Sequence, residues 1–356
     1  MEKRKTKKSD QDSKNEYQKK DIKLGKLFRE DFLKTGLIPE PLRLVFQKQH
    51  YALVGNHSAV EICRWTKKSI IDEGFCYKQK FYGIRSHLCC QMTPAVAWCD
   101  HQCIFCWRAV EYNLDKTMDK VKLDDPKTII DGAIEAQRRL LSGFGGNPKT
   151  NWKKFKEAQE PMHFAISLSG EPTLYPMLPE LIKELHRRGK TSFLVSNGQH
   201  PEMIERLINE NALPTQLYIS LDAPNEQIYR IVNRPLNSDG WERLMKTLEL
   251  LKEIRGKTRT VIRITLIKGF NDVHPEQYAE LIKKANPMFL EVKAYMWVGH
   301  SRKRLKLENM PRHEDVKAFA EKLAKALKWQ IIDEKPESRV VLVMEHDLPD
   351  RVMKFE

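Results

Sequence analysis

Seven cysteines, Cys63, Cys76, Cys89, Cys90, Cys99, Cys103 and Cys106, fall within 44 consecutive residues, and the 250 residues that follow contain none. A secreted disulfide protein normally carries a signal peptide and spreads its bridges through the chain. Here the N-terminus is lysine-rich without the apolar run of a signal, so the cluster reads as an intracellular metal site and a cytoplasmic location is expected. The last three cysteines stand in Trp98-Cys99-Asp100-His101-Gln102-Cys103-Ile104-Phe105-Cys106-Trp107. The spacing is C-x3-C-x2-C, with an aromatic residue just before the third thiol. Three thiolates on one tight loop can hold three irons of a [4Fe–4S] cube, whose usual complement is four cysteines. The remaining iron then stays open, which marks a catalytic rather than a structural metal centre. A zinc site that borrows a fourth ligand is the bland alternative.

The upstream thiols repeat the theme. Cys63, Cys76 and Cys89 are spaced thirteen and thirteen residues apart. They point to a second cluster with its own open iron, leaving Cys90 as a spare, because adjacent cysteines do not easily ligate one cube. The competing reading is buried helical cysteines acting as small apolar residues.

Such loops need a rigid frame, and the chain after residue 92 supplies its pattern. Apolar runs that read as buried strands (Thr93–Cys99, then HFAISLS, SFLVSN, LYISLD, VIRITLI and FLEVKAY) alternate with amphipathic helical stretches, several opening on Pro. Six strands alternating with helices predict an α/β fold with a parallel sheet, open or curled into a partial barrel, with function at the C-terminal strand ends. A final helix and the run RVVLVME close the chain. Upstream, Ser58–Gly74 has helical periodicity and would place Cys63 on a helix. Expected boundaries are a disordered basic tail over 1–36, an N-terminal extension carrying second-cluster ligands over 37–81, a core over 82–325, and a C-terminal extension over 326–356. No apolar stretch suits a membrane span. The 62 basic against 48 acidic residues leave +14, and residues 1–26 hold ten Lys/Arg against five Asp/Glu. That excess points to a polyanionic partner, most simply a nucleic acid.

The C-x3-C-x2-C loop resembles the signature of the radical S-adenosylmethionine (SAM) superfamily. Ser169-Gly170-Glu171-Pro172 is similar to its Gly-Glu-Pro motif, with Ser169 replacing the usual first glycine, and Ser196-Asn197-Gly198 and Ser220-Leu221-Asp222 fall at later strand ends. The resemblance implies a TIM-like partial (β/α)6 barrel and reductive cleavage of SAM to a 5′-deoxyadenosyl radical at the cluster on Cys99, Cys103 and Cys106. It also implies that Ser169, Gly170, Glu171, Asn197, Ser220 and Asp222 hold SAM.

From about residue 37 onward the chain resembles more closely the archaeal tRNA 4-demethylwyosine synthases. The resemblance is carried by the upstream cysteine pattern, Met92-Thr93-Pro94-Ala95, Cys106-Trp107-Arg108, Ser167-Leu168-Ser169-Gly170-Glu171-Pro172 and Ser220-Leu221-Asp222-Ala223-Pro224. It implies two [4Fe–4S] clusters and condensation of pyruvate with N1-methylguanosine-37 of phenylalanine tRNA. It further implies a Schiff-base lysine two residues after the middle upstream cysteine, Lys78, with Lys80 as local rival. An external donor, flavodoxin or ferredoxin, would supply electrons, and a monomer is expected. Arg302, Lys303 and Arg304, with Arg108, Arg230 and Arg234 at other strand ends, are the candidate RNA contacts. The rivals are another two-cluster radical SAM enzyme, such as a protein maturase, and a non-enzymatic zinc RNA-binding module.

Overall fold

The computed structural model describes residues 2–355, with side chains from residue 19 onward. Among these, ten strands form one sheet in the order β1-β2-β3-β4-β5-β6-β7-β8-β10-β9. The strands are β1 (Ala52–Val54), β2 (Ser58–Glu61), β3 (Cys89–Thr93), β4 (His163–Ile166) and β5 (Thr191–Ser196). They continue with β6 (Gln216–Ser220), β7 (Arg259–Leu266), β8 (Phe289–Ala294), β9 (Gln330–Lys335) and β10 (Val340–Met344).

β3 through β8 pair in parallel and in chain order, with Met92 opposite Ile166, Ile166 opposite Leu194 and Leu194 opposite Leu217. These strands read as nearly continuous apolar runs because both faces are covered: Leu217, Tyr218 and Ile219 are all fully buried. Helices make the crossovers. Pro126–Leu141 is typical: Asp125 accepts from the Lys127 and Thr128 N–H groups, Pro126 opens the first turn, and Ile129, Ile130 and Ala133 face the core. The expected α/β core of six parallel strands joined by helices is therefore present. An antiparallel pair flanks each side of the parallel core, β2–β1 beside β3 and β10–β9 beside β8, so neither edge of the parallel core is left as a bare ladder. No helix among the described residues is long and apolar enough to cross a membrane.

Three expectations are corrected here. The first core strand is Cys89–Thr93 rather than Thr93–Cys99. Pro94 cannot donate to the ladder, and the chain turns there instead. Ser58–Glu61 is strand β2 rather than helix; it pairs with both β1 and β3, and the helix starts only at Arg64. The stretch read as a disordered tail lies in helix α1 (Glu2–Thr35). Residues 2–18 of that expectation lie outside the described side chains. Further along α1, Phe32 is fully buried edge-on to Trp98, Phe28 packs edge-on to Tyr112, and Arg29 donates to the carbonyls of Glu111 and Asn113. The composition count covered residues 1–26 and so stopped short of these two aromatics, which fall at i and i+4 on one face of the helix.

Candidate active site

The loop after β3 is held from several sides, which is what three ligands on a short segment require. Asp100, fully buried, accepts from Asn197 Nδ2 at 2.7 Å and from Asn237 Nδ2 at 3.3 Å. It also pairs with His200 Nε2 at 3.0 Å. Burial alone would raise its carboxyl, but the His200 contact, His101 and Asn197 together hold it below the usual range. Backbone bonds from Gln102 and Ile104 to the carbonyls of Asn233 and Val232 complete the fastening.

The following turn is bound by Arg304. Its guanidinium donates to the carbonyls of Ile104, Cys106 and Arg108 and pairs with Glu111. Only 5% of the side chain is exposed. Arg304 is therefore a brace of the cysteine loop and not the phosphate contact expected from its basic neighbours. Replacing it with Met leaves three carbonyls and a mostly buried carboxylate without their donor, so Arg304→Met is expected to cost about 3 kcal/mol of stability and to weaken iron retention. Denaturant unfolding and iron content of the purified variant test this; wild-type values in both would rule the brace out.

Cys99, Cys103 and Cys106 line one cavity together with Ser169, Gly170, Glu171, Ser196, Asn197, Ser220, Asp222 and Asn233. The donor set fits a [4Fe–4S] cube with one open iron. Burial pushes the Cys99 and Cys103 thiols well up, and neighbouring Asp100 and the cysteines themselves add to it. Three thiolates so placed are stable only against a cationic metal centre. Polar groups already face the sulfurs: the His101 N–H is 3.5 Å from Cys99 Sγ and Asn233 Nδ2 is 3.9 Å from Cys103 Sγ. Such contacts orient ligands and tune a cluster.

The Ser169–Pro172 turn shows why glycine is needed at its centre. Gly170 has φ +67, and a Cβ there would lie 1.8 Å from the Ala95 carbonyl oxygen and 2.5 Å from that of Trp98. Ser169 Oγ donates to Val96 O at 3.0 Å, which ties the turn to the segment leading into the cysteine loop. Glu171 lines the cavity, yet both its oxygens are engaged, one by Thr173 N–H and hydroxyl and the other by Asn197 N–H at 2.8 Å. Burial, with Asp100 nearby, raises its carboxyl. Burial likewise lifts Asp222 to about 6 although the Thr265 N–H donates to it at 2.7 Å. Asn233, which sequence reasoning missed, is 3% exposed, and its Oδ1 has no partner among the described residues. Nothing in its local sequence marked it; only the fold carries it from the end of a helix to the cluster loop.

A second cavity is lined by Cys63, Cys76, Cys89, Lys78, Arg263 and Lys293. Cys63 and Cys76 are each the N-cap residue of a short helix, and the Trp65 N–H lies 3.3 Å from Cys63 Sγ. Cys89 and Cys90 sit side by side on β3, where successive side chains take opposite faces. Cys89 faces this cavity and Cys90 is fully buried in the apolar core. Lys78 is 8% exposed, its Nζ 4.4 Å from the centre of the Tyr218 ring and 5.2 Å from that of Phe193. Burial, then the Arg263 charge, lowers its ammonium below the ordinary lysine range. Lys80 points away and is tied to Asp333 Oδ1 and the Glu334 carbonyl, each at 2.7 Å. Below the cavity, Glu291 accepts from Tyr77, Tyr82 and Arg263 and is itself fully buried, so the local cations stand on a satisfied base. Lys293 and Arg263 carried no signal in the sequence; each is one more basic residue within a strand.

The basic residues expected to touch RNA divide. Arg108 is 9% exposed, donates to Glu61 and Leu168, and stacks between aromatic rings, so it belongs to the interior. Lys303 pairs with Asp21 of α1. Arg234 and Arg302 are exposed, with Arg302 4.4 Å from the centre of the Trp297 ring.

Residues 94–282 match the radical SAM superfamily, and residues 284–345 match the wyosine base formation family. The chain is 54% identical over 312 residues to the S-adenosyl-L-methionine-dependent tRNA 4-demethylwyosine synthase of Pyrococcus abyssi, covering 87% of this chain and 90% of that one. Identity to the Methanocaldococcus jannaschii synthase is 42% over 311 residues, covering 86% and 96%. A solved structure of TYW1 with a lysine–pyruvate adduct superposes with a TM-score of 0.79 at 40% identity, over 89% of this chain and all of that one. A crystal structure of archaeal TYW1 superposes with a TM-score of 0.71 at 37% identity, over 87% and 97%. Membership in the superfamily brings SAM and a [4Fe–4S] cluster, and the relatives act on tRNA. A parallel β/α sheet whose loops bring three thiols and a polar turn into one cavity, with this degree of identity along almost its whole length, places the chain among the S-adenosyl-L-methionine-dependent tRNA 4-demethylwyosine synthases, the radical SAM enzymes of wyosine base formation.

Proposed function

We propose that the protein condenses N1-methylguanosine-37 of phenylalanine tRNA with pyruvate to give the tricyclic base 4-demethylwyosine, using SAM, two [4Fe–4S] clusters and electrons from a separate flavodoxin or ferredoxin. The observation that carries this reading is the pairing of two thiol-lined cavities that share a wall of Trp107, Ser167 and Val195. One has the ligands and polar rim suited to SAM, and the other has a second set of three thiols beside a buried lysine.

Cys99, Cys103 and Cys106 would hold the cluster that, when loaded, supplies the electron for opening SAM. Asn233, Ser220 and Asp222 offer polar atoms to the amino acid and ribose parts of that molecule. Glu171 acts mainly by fixing the Asn197 backbone, since both its oxygens are taken. Cys63, Cys76 and Cys89 would hold the second cluster.

Lys78 binds pyruvate. A neutral Nζ adds to the keto carbon, a C–N bond forms, and the keto oxygen leaves as water, giving a Schiff base. Burial favours the neutral amine that this step requires. The adduct seen on a lysine in the related TYW1 structure supports the same chemistry. Adduct formation should therefore rise with pH, with its midpoint below pH 10.5, the ordinary lysine value.

The test is mass spectrometry of nucleosides from N1-methylated phenylalanine tRNA after anaerobic turnover with SAM, pyruvate and a reductant. Appearance of the tricyclic nucleoside is the expected result. Full recovery of N1-methylguanosine while SAM is consumed would exclude the reaction.

A further inference from the structure

The reacting base has to reach both cavities, and the wall they share contains one large side chain, Trp107. It is 38% exposed, although tryptophan is highly buried on average. One face is covered. The Arg108 guanidinium lies 3.4 Å from the centre of the Trp107 ring and 4.0 Å from that of Tyr51, so Arg108 is sandwiched between the two. Glu61 Oε2 at 3.2 Å and Leu168 O at 3.3 Å hold the guanidinium in that plane.

The backbone of Trp107 is held as firmly. Its carbonyl accepts from the His300 N–H at 2.9 Å. Gly299, at φ +57, packs so close that a Cβ would stand 2.3 Å from the same oxygen. The indole is thus a pre-positioned plane with its free surface turned to the junction of the cavities.

We propose that Trp107 is the platform on which the unstacked purine of the RNA lies, extending the layered order Tyr51, Arg108, Trp107 by one more ring. The proposal rests on the reading of the substrate as a tRNA base. A base at chemical work in an enzyme leaves its stack and is received by aromatic surfaces, and a flat π-face accepts it without regard to a particular hydrogen-bond pattern. The stack positions the base between the SAM cavity and the Lys78 cavity, and Arg108 stiffens the platform from behind.

The experiment compares binding of two anticodon stem-loop RNAs to the reconstituted holoenzyme, one with N1-methylguanine at the modified position and one abasic there. For the wild type the base is expected to strengthen binding roughly 5- to 150-fold, the range of one base–aromatic stack. Trp107→Leu should bring the base-containing RNA down to the abasic level, whereas Trp107→Phe should keep most of the difference. If Trp107→Leu weakens both RNAs by the same factor, or keeps the wild-type difference, the platform is overturned. Should Trp107→Leu fail to hold its iron, Trp107→Phe against Trp107→Met carries the same comparison. A wild type that discriminates the two RNAs yet makes no tricyclic nucleoside would sink the reaction proposed above while supporting the platform.

Discussion

Lys78→Ala will abolish the borohydride-trapped adduct with pyruvate and lower tricycle formation by roughly 10³-fold or more, the scale expected when a covalent nucleophile is lost. The same variant should still cleave SAM when reduced, because Lys78 lines the second cavity and not the one around Cys99, Cys103 and Cys106. Lys80→Ala is the matched control. Its amine is spent on Asp333 and the Glu334 carbonyl, so trapping there should stay at the wild-type level. Trapping that survives in Lys78→Ala and disappears in Lys80→Ala would reverse the assignment. Intact mass measurement after borohydride treatment reads both outcomes directly.

The second large effect concerns iron. Two cubes correspond to about eight irons per chain after anaerobic reconstitution, and one cube to about four. Cys103→Ala should retain about four irons and form no 5′-deoxyadenosine, since the thiols lost and kept belong to separate cavities. Cys76→Ala should also retain about four, but it should go on producing 5′-deoxyadenosine without the tricycle. Cys90→Ser should stay near eight, because that thiol is fully buried among apolar residues, on the face of β3 opposite Cys89, and lines neither cavity. Loss of iron in Cys90→Ser, or eight irons in Cys76→Ala, would dismantle the two-cluster assignment. Zinc in place of iron throughout would do the same.

Local spacing was enough where the chemistry is local. C-x3-C-x2-C brings three thiols onto one loop whatever surrounds them, and the β/α alternation follows from apolar runs that only a two-sided cover can hide. The Ser169–Pro172 turn was legible only as a motif, since the atoms that demand glycine at 170, the carbonyl oxygens of Ala95 and Trp98, come from a segment far away in the chain.

Where two neighbours competed, the deciding information was direction in space. Cys89 and Cys90 differ by one position on β3, and a strand turns successive side chains to opposite faces, so one enters a cavity and the other the core. Lys78 and Lys80 differ by two positions on the helix Tyr77–Tyr82, which at 3.6 residues per turn is about 200° of rotation and opposite sides of the helix. Sequence names both members of each pair and cannot orient them until the register of β3 against β2 and β4, and the docking of that helix beside β9, are set.

Charge was the least legible property. The excess of +14 proposed a polyanion, and basic runs near strand ends proposed where it would bind. Yet Arg304 and Arg108 are turned inward, one to brace the cysteine loop and one to back an indole, while Arg234 and Arg302 stay at the surface. A guanidinium satisfies buried carbonyls as readily as it meets a phosphate, so composition does not tell the two uses apart. The sequence by itself determined that three thiols share a loop at the end of a β/α strand. Tertiary structure alone decided which lysine and which adjacent cysteine enter a cavity and which arginines turn inward, because those choices depend on rotation and packing between segments far apart in the chain.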